Sequence, residues 1–179
     1  MKVILKKSAS LILAVCCIAG CKPKKSDLAN NALYFDIKGY FEQEAIRLNS
    51  QHRGVTKTIS INGIPESKKL IVIDFKKELS AFIDSDINKL SWKGAFNVEK
   101  NDSLTIYRTA DQKIPVKSVE IYEVAHQIKA IRILRANSNM LYKTADTLLY
   151  QKDKGYEIKK MQDVKLLSPA YYSIVGRFN

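Results

Sequence analysis

The sequence predicts an α+β domain: a curved antiparallel sheet, a meander or half-open barrel, packed by one or two helices. Three observations carry this. Residues 33–48 repeat apolar side chains at three- and four-residue steps, the period of a helix with one buried face. From Leu90 onward the period falls to two, with turn residues at short intervals, the pattern of strands joined by hairpins. Asn62-Gly63 separates two extended segments, and that dipeptide favours the left-handed backbone of a two-residue hairpin turn.

Taken in order, Leu33, Ile37, Tyr40, Phe41, Ala45 and Leu48 form the apolar stripe of the first helix, and Gly54 is its expected stop. Residues 55–61 alternate as a strand, and the return strand is expected through residues 70–73. Asp74 is placed to cap a second helix that puts Phe75, Leu79, Phe82, Ile83 and Ile87 on one side. Trp92, Gly94, Phe96 and Val98 then share one face of a strand, and Asn101-Asp102 turns the chain into strand 104–108. Strands 116–124 and 128–134 form a hairpin around Ala125-His126-Gln127. Strands 148–150 and 156–161 form another around Asp153-Lys154-Gly155, and strand 171–178 closes the series. Such short connections imply antiparallel neighbours.

The N-terminus reads as an address. Lys2, Lys6 and Lys7 precede an apolar run that ends in Ile18-Ala19-Gly20-Cys21. A basic start, a short apolar stretch and a small-residue ending make a secretory leader, and the run is shorter than the roughly 18 residues a membrane span needs. The small-small-Cys ending has the form of a lipobox. Ala19 and Gly20 admit the signal peptidase, and the Cys21 thiol takes up the diacylglyceryl group. The expected organisation is residues 1–20 as lipoprotein signal peptide, 21–32 as tether, and 33–179 as one domain.

Composition removes several chemistries. The cysteines are Cys16, Cys17 and Cys21, so two leave with the leader and the third becomes a thioether. Thiolate catalysis, thiolate metal sites and disulfides are excluded from the mature domain. The net charge is +12, with 24 lysines against six arginines. Bidentate phosphate recognition favours arginine, so no nucleic-acid partner is expected, and the lysines read as solvated faces that keep sheet edges apart. Lys22, Lys24 and Lys25 in the tether could meet anionic headgroups.

Motifs are few. His52 sits near the end of the first helix and His126 in a hairpin turn, with no spacing that would join them in a metal site. Asp84-Ser85-Asp86-Ile87-Asn88 begins like a calcium loop, but Lys89 stands where the turn glycine belongs and Ala95 where a bidentate glutamate belongs. Glu120 and Glu123 fall on opposite faces of a strand. No catalytic residue, cofactor or metal is assigned. Tyrosines on the strands, Tyr122, Tyr150 and Tyr156 among them, form a candidate binding face, because tyrosine offers contact area at low entropic cost. Asp102-Ser103-Leu104 and Asp146-Thr147-Leu148 match the aspartate, serine-or-threonine, apolar pattern of O-glycosylation in exported Bacteroidota proteins, making Ser103 and Thr147 candidate acceptors at turn-to-strand edges.

From Tyr34 onward, the Val55-Thr56-Lys57-Thr58-Ile59 strand and the segment Phe82-Ile83-Asp84-Ser85-Asp86-Ile87-Asn88-Lys89 resemble those of a family of Bacteroidota outer-membrane lipoproteins without assigned activity. The resemblance implies an outer-membrane location and lends no mechanism. Surface export in that group is marked by acidic residues after the lipidated cysteine, whereas Lys22-Pro23-Lys24-Lys25 implies the periplasmic face. The expectation is a lipid-anchored envelope lipoprotein, held to the membrane through Cys21. It would act as a non-catalytic binding or scaffold module for an envelope protein or an apolar ligand. The alternative is a hydrolase of envelope polymers whose carboxylates, such as Asp84, Asp86 and Glu99, converge only in the fold. A ligand-sized cavity between the first helix and the sheet would favour an apolar-ligand carrier.

Overall fold

A computed structural model describes residues 33–70 and 74–179 of the chain. The leader, Cys21, the tether and residues 71–73 of the expected return strand lie outside the described residues.

Helix α1 spans Ile37–Ser50. Asp36 starts it by accepting the Gly39 N–H at 2.8 Å, which satisfies one of the donors a helix start leaves open. Ile37, Phe41, Ala45 and Leu48 line its buried side, as the period requires. The stop differs from expectation. His52, with φ of 51°, takes the left-handed position that Gly54 was expected to take. The Arg53 N–H reaches the Leu48 carbonyl and the His52 N–H reaches that of Asn49, which is a Schellman closure.

The sheet has nine antiparallel strands: β1 Val55–Ile61, β2 Ile64–Leu70, β3 Asn97–Lys100, β4 Leu104–Arg108, β5 Val116–Val124, β6 Gln127–Ser138, β7 Tyr142–Gln151, β8 Gly155–Val164 and β9 Ala170–Phe178. Their order is β2-β1-β9-β8-β7-β6-β5-β4-β3. Strands β3 to β9 form the meander. The first hairpin then joins its far side, β1 pairing with β9 from Val55↔Phe178 to Ile61↔Tyr172. The sheet stays open, with β2 and β3 as its edges. Strand β2 begins at Ile64, directly after the Asn62-Gly63 turn, and not at residue 70. An edge strand tolerates Pro65 because one side of it carries no ladder.

After the first hairpin, Asp74 caps as expected, its carboxylate accepting the N–H groups of Lys76 and Lys77. The helix it starts is two single turns, α2 Phe75–Glu78 and α3 Ser80–Ile83, divided at Leu79. Phe75, Leu79, Phe82 and Ile87 all reach the core, Ile87 from beyond the helix. The alternation from Leu90 does not make a strand at once. Leu90–Trp92 is a 3-10 turn and Gly94 is left-handed with φ of 79°. Phe96 donates its N–H to the Tyr34 hydroxyl at 3.1 Å, so the ladder opens only at Asn97.

Strand alternation gives the sheet an inner face, covered by the helices, and an outer face. Val119, Ile121, Ile131, Ile133, Leu148 and Tyr150 lie inward and are buried with Ile37, Phe41 and Leu48 of α1.

Candidate functional site

The β7–β8 hairpin places Tyr150 and Tyr156 directly opposite each other, both on the inner face. Tyr150 is 0% exposed and Tyr156 is 4% exposed. They belong to an aromatic cluster: Phe41 packs edge-on against Tyr150 with ring centroids 5.2 Å apart, and Phe82 lies 4.8 Å from Phe41. Phe178 touches both tyrosines. Two of the three tyrosines of the expected binding face are therefore core residues. Burying their rings beneath the helices is worth more than displaying them.

Their hydroxyls define two buried polar sites. Tyr150 donates to Glu44 of α1, and Tyr156 donates to Glu78 of α2. Each carboxylate meets a cation. Arg47 bonds Glu44 and reaches on to Asp153 in the β7–β8 turn at 2.8 Å, while Lys57 of β1 meets Glu78 at 2.7 Å. A buried carboxylate is tolerable only when paired and hydrogen-bonded in this way. Burial, and then the bond to Glu44, hold the Tyr150 hydroxyl far above the ordinary tyrosine range. Burial does the same to Tyr40 beside it, whose hydroxyl is buried without a protein partner. The bond to Glu44 also holds Arg47 above its ordinary value. Tyr150 and Glu44 are closed to solvent, Glu78, Arg47 and Lys57 are partly open to it, and together they join helix to sheet.

Tyr122, the third tyrosine, lies on the outer face. Its hydroxyl donates to Glu120 at 2.6 Å, with Arg132 at 3.7 Å from the same carboxylate. The bond to Glu120, followed by burial, raises the Tyr122 hydroxyl. The outer face also carries an open groove of about 440 Å³ where β1, β7, β8 and β9 run side by side. Ser60, Ala145, Thr147 and Ser173 form a floor of small side chains, Met161 and Tyr171 add apolar walls, and Lys159 stands beside them. The register explains the grouping, since Ala145 faces Met161, Met161 faces Tyr171, and Ser173 faces Ser60.

The remaining candidates are dispersed. Ser103 is exposed in the β3–β4 turn, where Asn101 accepts its N–H at 3.0 Å. Thr147 is not at a strand edge. It lies within β7, paired on both sides with Leu134 and Lys159, and it lines the groove. His52 and His126 are exposed at a helix end and a hairpin turn. Glu99 pairs with Arg108 at 3.2 Å, and Asp86 accepts the Asn88 N–H at 2.9 Å. The Asn88 side chain in turn binds the backbone of Tyr34 and Phe35, so the calcium-like segment is a strut for the entry to α1. No group of three or more His, Cys, Asp or Glu that could hold a metal occurs among the described residues. No described helix is long and apolar enough to cross a membrane.

The groove residues Ala145, Met161 and Ser173 were not among the sequence candidates. Their signal is alternation on β7 to β9, but bringing Ser60 beside Ser173 needs the β1–β9 pairing, which no local pattern encodes. The chain matches no protein-family model, no curated protein and no solved structure, so its chemistry rests on its own residues.

Proposed function

We propose that this protein is a periplasm-facing envelope lipoprotein of the outer membrane, anchored through Cys21. It acts as a non-catalytic binding module that engages a protein partner with the outer-face groove. One observation carries the choice of partner. The space between α1 and the sheet is filled by Phe41, Phe82 and Tyr150, each fully buried, whereas the groove on the opposite face is open. Small ligands are held by sites that bury most of their surface. An open floor of small side chains beside apolar walls and two lysines, Lys159 and Lys160, suits the projecting side chains of a partner. The leader pattern and the small-small-Cys ending support the anchor.

The test is a photocrosslinking side chain at Ala145 in the native host, with His126 as the control position. A discrete adduct at Ala145, absent at His126 and lost when Thr147→Trp fills the groove, is the expected result. Equal adducts at both positions, or none at Ala145, would remove the groove from the function. The anchor is tested separately by metabolic labelling with a fatty-acid analogue, and label retained in Cys21→Ala would reject it.

A further inference from the structure

One end of the sheet is apolar where it should be polar. Three connections meet there: the β1–β2 turn at 62–63, the β6–β7 loop at 139–141 and the β8–β9 loop at 165–169. Hydrogen bonds stitch them together. Lys165 donates its N–H to the Leu141 carbonyl at 2.9 Å. Asn62 donates to the Tyr171 carbonyl at 2.8 Å, and Tyr171 returns its own N–H to the Asn62 side chain at 2.9 Å. From these tips project Ile64, Met140, Leu141, Leu166 and Leu167. Met140 is 90% exposed and Leu166 is 96% exposed, which single scattered surface residues do not explain when five cluster at one end.

The second observation is the kind of residues around the tips. Tyr142 is the first residue of β7 and Tyr171 the second of β9, both partly exposed. Lys143 and Lys165 are exposed beside them, with Lys113 in the β4–β5 loop of the same end. Among the described residues Asp111 and Asp163 are acidic groups there, and Asp111 is engaged with the Lys113 N–H at 2.8 Å. Exposed apolar tips with tyrosines and lysines around them is the composition of a segment that enters a bilayer interface. The leucines meet acyl chains, tyrosine sits at headgroup depth, and lysine amines meet lipid phosphate.

The third observation is Leu166 itself. Its φ is 71°, the left-handed region that glycine and asparagine occupy readily and other residues avoid. Leucine at this position worsens the turn and exposes its whole side chain. Folding gains nothing from it.

We infer that this end of the sheet is a membrane-docking edge, in which the β1–β2, β6–β7 and β8–β9 tips insert shallowly into an anionic phospholipid surface. The inference does not depend on Cys21, because a lipid at the N-terminus tethers the domain without dictating which end of the sheet touches the bilayer.

The experiment places a tryptophan at one tip of the full-length chain in a Trp92→Phe background and mixes it with vesicles containing brominated lipid and phosphatidylglycerol. Leu166→Trp should shift its emission to the blue and be quenched several-fold more than His126→Trp at the opposite end of the sheet. Adding Lys143→Glu and Lys165→Glu, or replacing phosphatidylglycerol with phosphatidylcholine, should weaken the quenching several-fold. Leu166→Asn should weaken vesicle binding of the otherwise native chain while leaving the denaturation midpoint unchanged or higher. Quenching no greater at 166 than at 126 overturns the proposal. So does a blue shift that grows with protein concentration without vesicles, which would mean that a second copy of the chain covers the tips.

Discussion

Tyr150 and Tyr156 face each other across the β7–β8 ladder, and their hydroxyls go to carboxylates on two different helices, Glu44 of α1 and Glu78 of α2. One cross-strand pair thus ties both helices to the sheet. Each tie ends in a cation, Arg47 or Lys57, so that a buried carboxylate is never left alone.

Removing one hydroxyl should therefore cost stability without opening a cavity. Tyr150→Phe leaves the more deeply buried carboxylate short of a donor, at about 1–3 kcal/mol. Tyr156→Phe should cost less, because Glu78 is nearer solvent than Glu44. Urea denaturation of the two variants reads the difference from their midpoints. Midpoints equal to that of the parent chain would mean that packing alone holds the helices.

The same pair sets an alkaline limit. Tyr150 is held protonated in the folded state by burial and by its bond to Glu44, while an unfolded tyrosine ionises near pH 10. Above that pH the unfolded chain releases a proton that the folded chain keeps. Stability contributed by the raised group is complete below the unfolded value and declines as pH rises beyond it, by about 1.4 kcal/mol per pH unit for one tyrosine. Denaturation midpoints measured from neutral to strongly alkaline pH should fall less steeply in Tyr150→Phe. Parallel curves for the two proteins would contradict this assignment.

Gly176 exists for Tyr156. A Cβ at 176 would overlap the Tyr156 ring, which is pinned by Phe82 and Phe178. Gly176→Val should cost about 1–3 kcal/mol through overpacking. Ser173→Val, on the outer face of the same strand, should change the midpoint little. Equal effects would show that strand β9 and not the tyrosine sets the preference.

What could be read from the chain follows the range of each interaction. The Asp74 cap, the Asn62-Gly63 turn and the α1 stripe from Ile37 onward are local and appear, whereas Leu33, expected in the stripe, lies before the helix and is exposed. The β1–β9 pairing joins residues more than a hundred positions apart, and the delayed start of β3 depends on the Tyr34 hydroxyl reaching Phe96. Alternation shows that Tyr150 and Leu148 share a face, but it does not say which face the helices cover. That is why Tyr150 and Tyr156 were open to a reading as surface residues, while Tyr122 does lie outside. The apolar tips had a signal that period-two reading passes over: Met140-Leu141 and Leu166-Leu167 are apolar pairs inside turn segments.

The β5–β6 hairpin tests whether turn chemistry alone limits stability. Val124 pairs with Gln127, so the turn has two residues, Ala125 and His126, and not the three expected from the sequence. Their φ values are 49° and 60°, a conformation that asparagine and glycine adopt with little cost, as Asn62-Gly63 does at 49° and 88°. Neither residue is buried, so no packing offsets the backbone cost. Ala125→Asn with His126→Gly should stabilise the domain by about 1 kcal/mol, seen as a higher urea midpoint at an unchanged slope. A lower midpoint would show that Ala125 or His126 makes a contact the folded chain needs.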